Sequence, residues 1–364
     1  MSERLPTNPR FMTDPSQFCV AATASMREAI ACIDKNARGI ALVVDEECRL
    51  VGTITDGDIR RAILARTSPD APVVELLARK ASSAFAKPVT APAGTDRGTL
   101  LRLMQERFVR QLPLLDVAGR VVELVTAEEM LPAEKLSLQA VIMAGGAGTR
   151  LRPLTETLPK PMLPVGGRPM LERLIEQLRG AGIHRVNITT HYRREVIENH
   201  FGDGREFGVD VNYVKEDEPL GTVGALSLMQ APSEPLLVVN GDILTRLNFR
   251  DLLNFHREQQ ADLTVAVRQY DVHVPFGVIE TEGSLVTKVV EKPVLNFFVN
   301  AGIYLLEPHV HAYIPHGQRF DMTDLIQRLI TEGRRVVSFP VLEYWLDIGQ
   351  LVDYEKAQSA VAAT

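Results

Sequence analysis

Cysteine is scarce in this chain, and long apolar runs are absent. Cys19, Cys32 and Cys48 are the three cysteines among 364 residues, and no C-x-x-C spacing joins them. Their number and spacing favour neither a zinc site nor a disulfide framework. No apolar run approaches the roughly eighteen residues of a membrane span, and the N-terminal MSERLPTNPR lacks the apolar core of a signal peptide. We therefore expect a cytoplasmic protein with no membrane partner.

An excess of positive charge is also absent. The formal net charge is -6, and the basic residues are scattered rather than clustered, which argues against a nucleic-acid partner. Hydrophobic content of 45% and charged content of 24% are ordinary for a globular protein. A length of 364 residues suggests two domains that each bury a core. Small molecules are therefore the expected partners.

The most informative stretch is a glycine-rich loop behind an apolar run. Residues 140 to 143 are apolar, and Gly145-Gly146-Ala147-Gly148 follows them. Glycines let the backbone approach a phosphate, and nearby cations supply charge. The loop is followed by Thr149, Arg150, Arg152 and Lys160. A turn with surface arginines would explain a lone glycine triplet. This denser succession favours a phosphate-binding loop.

The order of residues in this loop carries a family resemblance. No Gly-Lys-Ser/Thr closes it, and it is not G-x-G-x-x-G. The sequence GG-x-GTRLRPLT followed by PKPMLPV resembles the nucleotidyltransferases that join a nucleoside triphosphate to a sugar 1-phosphate. The resemblance implies a Rossmann-like (GT-A-like) α/β domain with a mixed, mostly parallel sheet, and strands alternate with helices from Gln139 onward. The nucleotide-binding set would include Ala144, Gly145, Gly146, Gly148 and Thr149, with Arg150 and Lys160 as catalytic residues on the triphosphate.

Two downstream loops carry further candidates for the nucleotide and a metal. Gly221-Thr222, in EDEPLGTVGA, would start a helix whose N–H groups bond the base or ribose, although a turn and cap explain both residues equally. Asn240-Gly241-Asp242 ends the apolar strand Leu236 to Val239, where a carboxylate can hold a divalent cation, or merely form a turn. In the family resembled, two aspartates coordinate magnesium. They would be Asp242 and Asp347 here, so Mg²⁺ is the expected cofactor.

Two more loops carry candidates for the sugar 1-phosphate. Lys292 would meet its phosphate as a compact point charge, and Glu291 could accept sugar hydroxyls, unless the two form a surface ion pair. Asn300 and Gly302 precede the predicted strand Ile303 to Leu306 and would contact the sugar ring. Glu291, Asn300 and Gly302, together with Gly241, form the predicted sugar-phosphate-binding set. Lys292 is the third predicted catalytic residue, beside Arg150 and Lys160.

Residues 1–137 read as one unit of two similar halves, at about 11–68 and 80–131, and an internal repeat implies a pseudo-symmetric pair. GIALVVDEECRLVGTITDGDIRRAI resembles a CBS module, an α+β repeat that binds adenosine ligands. A regulatory nucleotide would then contact Thr55 and Asp58, although capping a helix explains both. The second half departs from the pattern at Glu123 and Glu129. Residues 131–138 read as a linker, and residues 138–364 as the transferase domain. Because CBS modules often pair between chains, a homo-oligomer is expected.

The whole arrangement most resembles guanylyltransferases that act on glucosamine 1-phosphate in legionaminic-acid-type pathways of cell-surface glycans. GTP and glucosamine 1-phosphate are thus the favoured substrates. Mannose- or heptose-1-phosphate guanylyltransferases and uridylyl- or thymidylyltransferases are the alternatives. In the hypothetical mechanism, a sugar-phosphate oxygen attacks the α-phosphorus in line and pyrophosphate leaves. Two rivals are a nucleotide-sensing protein with an inactive transferase domain and a dimerisation scaffold formed by residues 1–137.

Overall fold

The computed structural model describes residues 15–81, 86–130 and 136–362. The chain divides into two compact units, Met1–Glu134 and Lys135–Thr364, and each is described by itself. Residues 131–135 of the predicted linker lie outside the described residues. Within the described ranges, no helix is both long and apolar enough to cross a bilayer.

The first unit repeats one arrangement of strands and helices. Its elements are β1 (Cys19–Ala21), α1 (Met26–Asn36), β2 (Ile40–Val44), β3 (Leu50–Thr55), α2 (Asp56–Leu64), α3 (Val73–Lys80), β4 (Ala91–Pro92), α4 (Arg97–Arg107), β5 (Gln111–Leu115), β6 (Val121–Thr126) and α5 (Ala127–Met130). β1, β2 and β3 form one sheet and β4, β5 and β6 another, each with a parallel pair followed by an antiparallel pair. The predicted internal repeat is therefore visible in the topology.

The repeat extends to the side chains of the hairpin turns. Arg49 Nε lies 2.8 Å from Asp45 Oδ2 in the first half, and Arg120 Nε lies 2.8 Å from Asp116 Oδ2 in the second. The two halves share a core, because Phe18 and Leu42 pack in one cluster with Leu124. Burial of such apolar surface from both repeats joins them into one folding unit.

The second unit is built on a seven-stranded sheet. Its elements are β7 (Gln139–Met143), β8 (Pro164–Val165), β9 (Arg168–Pro169), α6 (Met170–Gly180), β10 (Arg185–Thr190), α7 (Arg194–Phe201), β11 (Asp210–Lys215), β12 (Leu236–Asn240), β13 (Ile243–Thr245), α8 (Phe249–Glu258), β14 (Leu263–His273), β15 (Val278–Glu282), β16 (Leu285–Val290), β17 (Val294–Leu306), α9 (Met322–Thr331), β18 (Val336–Pro340), β19 (Trp345–Asp347) and α10 (Leu351–Ala362).

The strand order of the large sheet is β11-β10-β7-β12-β17-β14-β18. β17 is antiparallel to both of its neighbours, and the other pairs are parallel, which confirms the predicted mixed, mostly parallel sheet. Successive residues of β7 and β12 point to opposite faces, so Ile142 and Val239 pack in one core cluster and Val141 and Val238 in another. Both faces of the sheet are thereby covered.

Two features of this sheet position the candidate residues. β7 and β12 are parallel neighbours, so the loops after Met143 and Asn240 leave the sheet side by side. β13 pairs with β19 in a small antiparallel sheet that places Ile243 opposite Asp347. The Ile348 N–H also donates to the Asp242 carbonyl at 3.1 Å. Asp242 and Asp347, which are 105 positions apart, are therefore brought together by backbone hydrogen bonds.

The outer halves of β14 and β17 extend beyond the core with β15 and β16. Large apolar side chains are exposed there, including Tyr270, Phe276, Leu285 and Phe297. β17 runs without a break from Val294 to Leu306. The predicted loop at residues 299–302, ahead of a strand at 303–306, is therefore wrong: Asn300 and Gly302 lie inside a strand, at an irregularity where the pairing with β14 shifts register.

Candidate active site

The glycine loop after β7 folds against the segment that carries Lys160. Gly148 has a φ of +60°, and a Cβ there would lie 3.0 Å from Lys160 Cβ and 3.0 Å from Thr155 Cγ2. Such a Cβ would be both strained and crowded, so glycine is required at this turn. Thr155 Oγ1 donates to the Gly148 carbonyl at 2.8 Å and holds the turn closed. Gly146 is open, since a Cβ there would meet nothing within 4 Å.

A pocket of ≈ 220 Å³ lies between this loop and the end of β12. Cationic, anionic and glycine residues share its wall, which consists of Met143, Ala144, Gly146, Gly148, Thr149, Arg150, Leu151, Lys160, Pro161, Asp242 and Gly349. Seven of the predicted site residues are among them: Ala144, Gly146, Gly148, Thr149, Arg150, Lys160 and Asp242. Open backbone and two cations in one concave wall suit a polyphosphate.

Lys160 and Asp242 form an ion pair inside this pocket. The Lys160 Nζ donates to Asp242 Oδ2, and the side chains are only 11% and 25% exposed. Asp242 follows Gly241, whose N–H donates to the Met143 carbonyl at 2.9 Å. A Cβ on Gly241 would lie 2.9 Å from that carbonyl, so glycine allows the close approach of the two loops. The close approach of the loops that follow β7 and β12 therefore places Asp242 in the pocket, next to Lys160.

Asp347 and Arg150 both lie close to Gly349. A Cβ on Gly349 would be 3.8 Å from Arg150 Nη1 and 3.8 Å from Asp347 Oδ1. The protein around the Asp347 carboxyl group displaces water and raises its pKa, and the negative charge of Asp242 adds to that effect. Lys160 and Arg150 oppose it. The two aspartates thus sense each other's charge, with one cation near each.

The donor set fits a magnesium ion that substrate and water would complete. Among the described residues, Asp242 Oδ1 and Asn240 Oδ1 are buried side-chain atoms without a hydrogen-bond partner. A buried acceptor without a donor is costly, and water, an ion or a ligand can satisfy it. Within the described ranges, no group of three or more His, Cys, Asp or Glu residues could hold a metal. Two carboxylates with open positions match the way magnesium binds phosphates, because the ion keeps several waters.

Gly221 and Thr222 support a helix other than the one expected. The turn Gly224–Leu228 is a short 3₁₀ helix that begins after them. Thr222 N–H donates to Asp321 Oδ1 at 2.9 Å, and Thr222 Oγ1 accepts from the Met322 N–H at 2.8 Å. These bonds satisfy the start of α9. The prediction of a helix opening at Gly221-Thr222 is therefore wrong, and neither residue lines the pocket.

Glu216 is a buried acid beside the glycine loop. It is 5% exposed, its Oε2 accepts from the Leu220 N–H at 2.9 Å, and a Cβ on Gly145 would lie 2.6 Å from its Oε1. Burial raises the pKa of this carboxyl group, against the Leu220 hydrogen bond. Its carboxylate therefore contacts two segments that carry predicted nucleotide-binding residues. One is the glycine loop at residues 144–146, and the other is the segment at residues 220–222.

The predicted sugar-phosphate residues lie outside the pocket wall. Glu291 and Lys292 are exposed in the turn between β16 and β17, where Lys292 has a φ of +45°. Asn300 Oδ1 accepts from the Gly302 N–H at 2.9 Å. Burial raises the pKa of Tyr304 to about 12, opposed by its hydrogen bond with Asn300 and increased by the charge of Asp242. Asn300 thereby contacts Tyr304, whose hydroxyl group is affected by the charge of Asp242 in the pocket wall. Among the described residues, no contact joins Lys292 to the pocket.

Thr55 and Asp58, in the first unit, form a closed polar cluster. Thr55 N–H and Oγ1 both donate to Asp58 Oδ2 at 2.9 Å, Lys80 Nζ donates to the same oxygen at 2.8 Å, and Arg61 Nη2 donates to Oδ1 at 2.7 Å. Burial alone would raise the pKa of Asp58, but Lys80, Thr55 and Arg61 hold it below its usual range. In the second half, Glu129 accepts from Thr126 and pairs with Arg38. Helix capping accounts for the Thr55–Asp58 and Thr126–Glu129 bonds, whereas the contacts with Lys80, Arg61 and Arg38 are ion pairs.

Three residues acquire importance that sequence reasoning did not give them. Asn240 contributes a buried oxygen without a partner among the described residues, Glu216 lies against the glycine loop, and Gly349 lies close to both Arg150 and Asp347. Asn240 could have been found from its place before Gly241-Asp242 at a strand end. Burial of Glu216 and the backbone approach at Gly349 depend on tertiary packing and leave no local signal.

Comparison with known proteins agrees with this geometry. Residues 139–364 match the nucleotidyl transferase family, and residues 10–65 and 83–135 match the CBS domain. A mannose-1-phosphate guanylyltransferase of Mycobacterium tuberculosis is 33% identical over 231 residues, 61% of this chain and 64% of its own length. A UTP–glucose-1-phosphate uridylyltransferase of Synechocystis is 34% identical over 242 residues, 60% of this chain and 62% of its length. The chain thus spans less than two thirds of these curated relatives.

A solved structure from Bacillus anthracis, provisionally assigned as a glucose-1-phosphate thymidylyltransferase and bound to sucrose, superposes with a TM-score of 0.52. It is 25% identical and covers 62% of this chain and 96% of its own. The family match extends over more than half of the chain and includes the whole pocket wall. The chain belongs to the nucleotidyl transferase family, with a pair of CBS domains ahead of its transferase domain.

Proposed function

We propose that this protein is a sugar-1-phosphate nucleotidyltransferase, which joins a nucleoside triphosphate to a sugar 1-phosphate and releases pyrophosphate. The observation that carries the proposal is the pocket in which Arg150, Lys160 and Asp242 meet the open glycine loop. Phosphoryl chemistry of this kind needs orientation and charge neutralisation, because the attacking sugar phosphate is already ionised at neutral pH. No general base is therefore assigned.

Each pocket residue has a distinct task in this reaction. The open backbone around Gly146 and the 3₁₀ turn at Thr149 lie against the triphosphate, and Arg150 and Lys160 neutralise its charge. Asp242 and Asp347 would hold magnesium, which on binding would neutralise phosphate oxygens and orient the substrates. Lys292 is the proposed contact of the sugar phosphate, although it is exposed and is not part of the pocket wall.

Glu216 supports guanine as the base. A carboxylate only accepts hydrogen bonds from its neighbours, and guanine presents adjacent N1–H and N2–H donors on one edge. Uracil and thymine present one donor between two acceptors, so their carbonyl oxygens would face the acid. A site built around such donors rejects a base that lacks them. GTP is therefore the proposed donor substrate.

Mannose 1-phosphate replaces glucosamine 1-phosphate as the favoured acceptor. The sequence resemblance favours glucosamine 1-phosphate, but several relatives carry the name mannose-1-phosphate guanylyltransferase, including those of Mycobacterium tuberculosis and Pichia angusta. Glucosamine 1-phosphate remains the competing acceptor. Heptose 1-phosphate is the third arm of the test.

The test is pyrophosphate release with four triphosphates against mannose, glucosamine, glucose and heptose 1-phosphates, in magnesium. We expect the highest kcat/KM for GTP with mannose 1-phosphate, and release by Asp242→Asn that is slower by about 10²- to 10³-fold under the same conditions. Release with UTP or dTTP at higher efficiency would refute the base assignment alone. No release from any pair, with a folded protein, would refute the transferase proposal.

A regulatory nucleotide at Thr55 and Asp58 is proposed separately from catalysis. Both Asp58 oxygens accept protein hydrogen bonds, so ribose hydroxyls would have to exchange with Lys80 or Arg61. Titration calorimetry of the full chain with AMP, ATP and GMP tests this, with Asp58→Ala as the matched variant. Binding that survives Asp58→Ala unchanged would place the ligand elsewhere.

A further inference from the structure

The Lys160–Asp242 pair suggests how the charge of Asp242 is compensated before substrates bind. We propose that Lys160 is a built-in counter-cation, which holds the Asp242 carboxylate until a divalent cation displaces it. The inference rests on the proposed function, because it concerns the same pocket. Its evidence, however, is the geometry of two side chains and does not depend on which substrates are used.

The first step is that the pair is direct and mostly shielded from water. Lys160 Nζ contacts Asp242 Oδ2, and the two side chains are 11% and 25% exposed. A buried carboxylate without a counter-charge is strongly disfavoured, so the ammonium compensates it in the protein without ligands. Asp242 is the hydrogen-bond acceptor that the structure gives to this ammonium group.

The second step is that only one of the two Asp242 carboxylate oxygens accepts a hydrogen bond from the described part of the chain. Asp242 Oδ1 is buried and has no hydrogen-bond partner among the described residues, and the same holds for Asn240 Oδ1. A divalent cation bound to Asp242 would therefore find one oxygen open and the other covered by an ammonium group. Two cations on one carboxylate in a poorly hydrated site repel each other strongly. The divalent cation is then expected to expel the ammonium group.

The third step is where the displaced side chain goes. The Lys160 stem starts against the glycine loop, since a Cβ on Gly148 would lie 3.0 Å from Lys160 Cβ. Four methylene groups carry the ammonium group, so it can rotate away while its backbone stays fixed in the Lys160–Met162 turn. Displacement would thus release a cation over the loop where the triphosphate is proposed to bind. Arrival of the metal and activation of the phosphate site become one event.

The experiment is a titration with Mn²⁺ alone, without substrates, followed by the electron paramagnetic resonance signal of the free ion. Lys160→Met should bind Mn²⁺ about tenfold or more tightly than the wild type, because the competing cation is gone. Arg150→Met is the matched control, since Arg150 lines the same pocket near Asp347 rather than on Asp242. It should change the affinity much less. In the double variant Lys160→Met with Asp242→Asn, the gain should vanish.

Unchanged or weaker Mn²⁺ binding by Lys160→Met would overturn the inference, as would an equal gain in Arg150→Met. Because Lys160→Met leaves Asp242 uncompensated, Lys160→Gln, which keeps a hydrogen-bond donor, is titrated in parallel. Thermal unfolding adds a second readout: Mn²⁺ should raise the midpoint of either Lys160 variant more than that of the wild type. A catalytically inactive wild type would refute the proposed function while these metal affinities still decide this inference.

Discussion

Two buried carboxylate–lysine pairs, one in each unit of this protein, look alike and differ in one respect. Asp58 pairs with Lys80 at 2.8 Å in the first unit, and Asp242 pairs with Lys160 in the second. Both Asp58 oxygens accept from protein donors, including Thr55 and Arg61. Asp242 leaves one buried oxygen without a partner among the described residues. The complete hydrogen bonding of Asp58 favours a structural role for the first pair, and the free oxygen of Asp242 supports the binding site that we propose at the second.

The sequence motifs around Asp58 and Asp242 are alike. Each aspartate follows a strand end and lies near a glycine, which is typical both of ligand sites and of helix caps. What separates them is the supply of donors from distant segments. Lys80 comes from α3, 22 positions from Asp58, and supplies a bond that the Thr55–Asp58 motif does not predict. The hydrogen-bond partners of the two aspartates therefore distinguish them, whereas their sequence motifs do not.

The largest effect is expected from Asp242→Asn. Loss of the carboxylate removes both the proposed metal ligand and the counter-charge of Lys160, while the shape of the side chain stays nearly the same. Turnover should fall by about 10²- to 10³-fold, as for other preorganised charges in active sites. Steady-state pyrophosphate release measures this, with circular dichroism as the control for folding. Wild-type turnover in this variant would remove the distinction between the two pairs.

The matched change in the first unit, Asp58→Asn, should act on stability instead. It leaves Lys80 buried without its counter-charge, and breaking such a pair costs about 3 kcal/mol or more. Hydrogen exchange of α2 and α3 should rise markedly, while turnover of the folded protein without added regulatory nucleotide stays at the wild-type level. A variant with unaltered exchange but greatly reduced turnover would show that the roles are reversed.

A smaller effect, on selectivity, is expected from Glu216→Gln. The substitution keeps the size of the side chain but replaces one acceptor oxygen by a donor, which opposes the N–H groups of guanine and suits a uracil carbonyl. The ratio of kcat/KM for GTP over UTP should fall by about tenfold. Competition between the two triphosphates measures it. An unchanged ratio would mean that Glu216 only supports Leu220.

The smallest effect is a pH dependence of the Asp58 pair. The folded protein holds the pKa of Asp58 below its usual range. The stabilisation is therefore present above the unfolded value of about 3.9 and is lost as the pH falls through the lower folded value. The difference in urea midpoint between wild type and Asp58→Asn should be constant from pH 7 to about 5 and shrink in stronger acid. A difference that grows on acidification would contradict the assigned charge state.

The sequence predicted much of the frame of this molecule. β2, β5 and β10 can be identified from local pattern, because each is a short run with strong apolar or β-branched character between turn residues. The repeat in the first unit and the mostly parallel sheet also follow from local pattern. The glycine loop and Lys160 could be placed together because they are close in the chain and in the pocket.

The remainder depends on distant contacts that local patterns do not carry. The sequence predicts that Gly221 and Thr222 begin a helix of their own. In the structure, the Thr222 N–H donates to Asp321, which is 99 positions away and lies at the start of α9. Asn300 was expected in a loop, but pairing with β14 draws it into a strand. Glu216 is a polar residue in a polar segment, and only packing against Gly145 makes it a buried acid.

The most direct test compares Lys160→Ala with Lys80→Ala in one pyrophosphate-release assay, with GTP, mannose 1-phosphate and magnesium. Both substitutions remove a lysine that is paired with a buried aspartate, so they perturb charge and packing alike. We predict that Lys160→Ala loses about 10²- to 10³-fold in turnover while remaining folded, and that Lys80→Ala keeps wild-type turnover but unfolds at a lower temperature. Near-normal turnover in Lys160→Ala would contradict the proposed site.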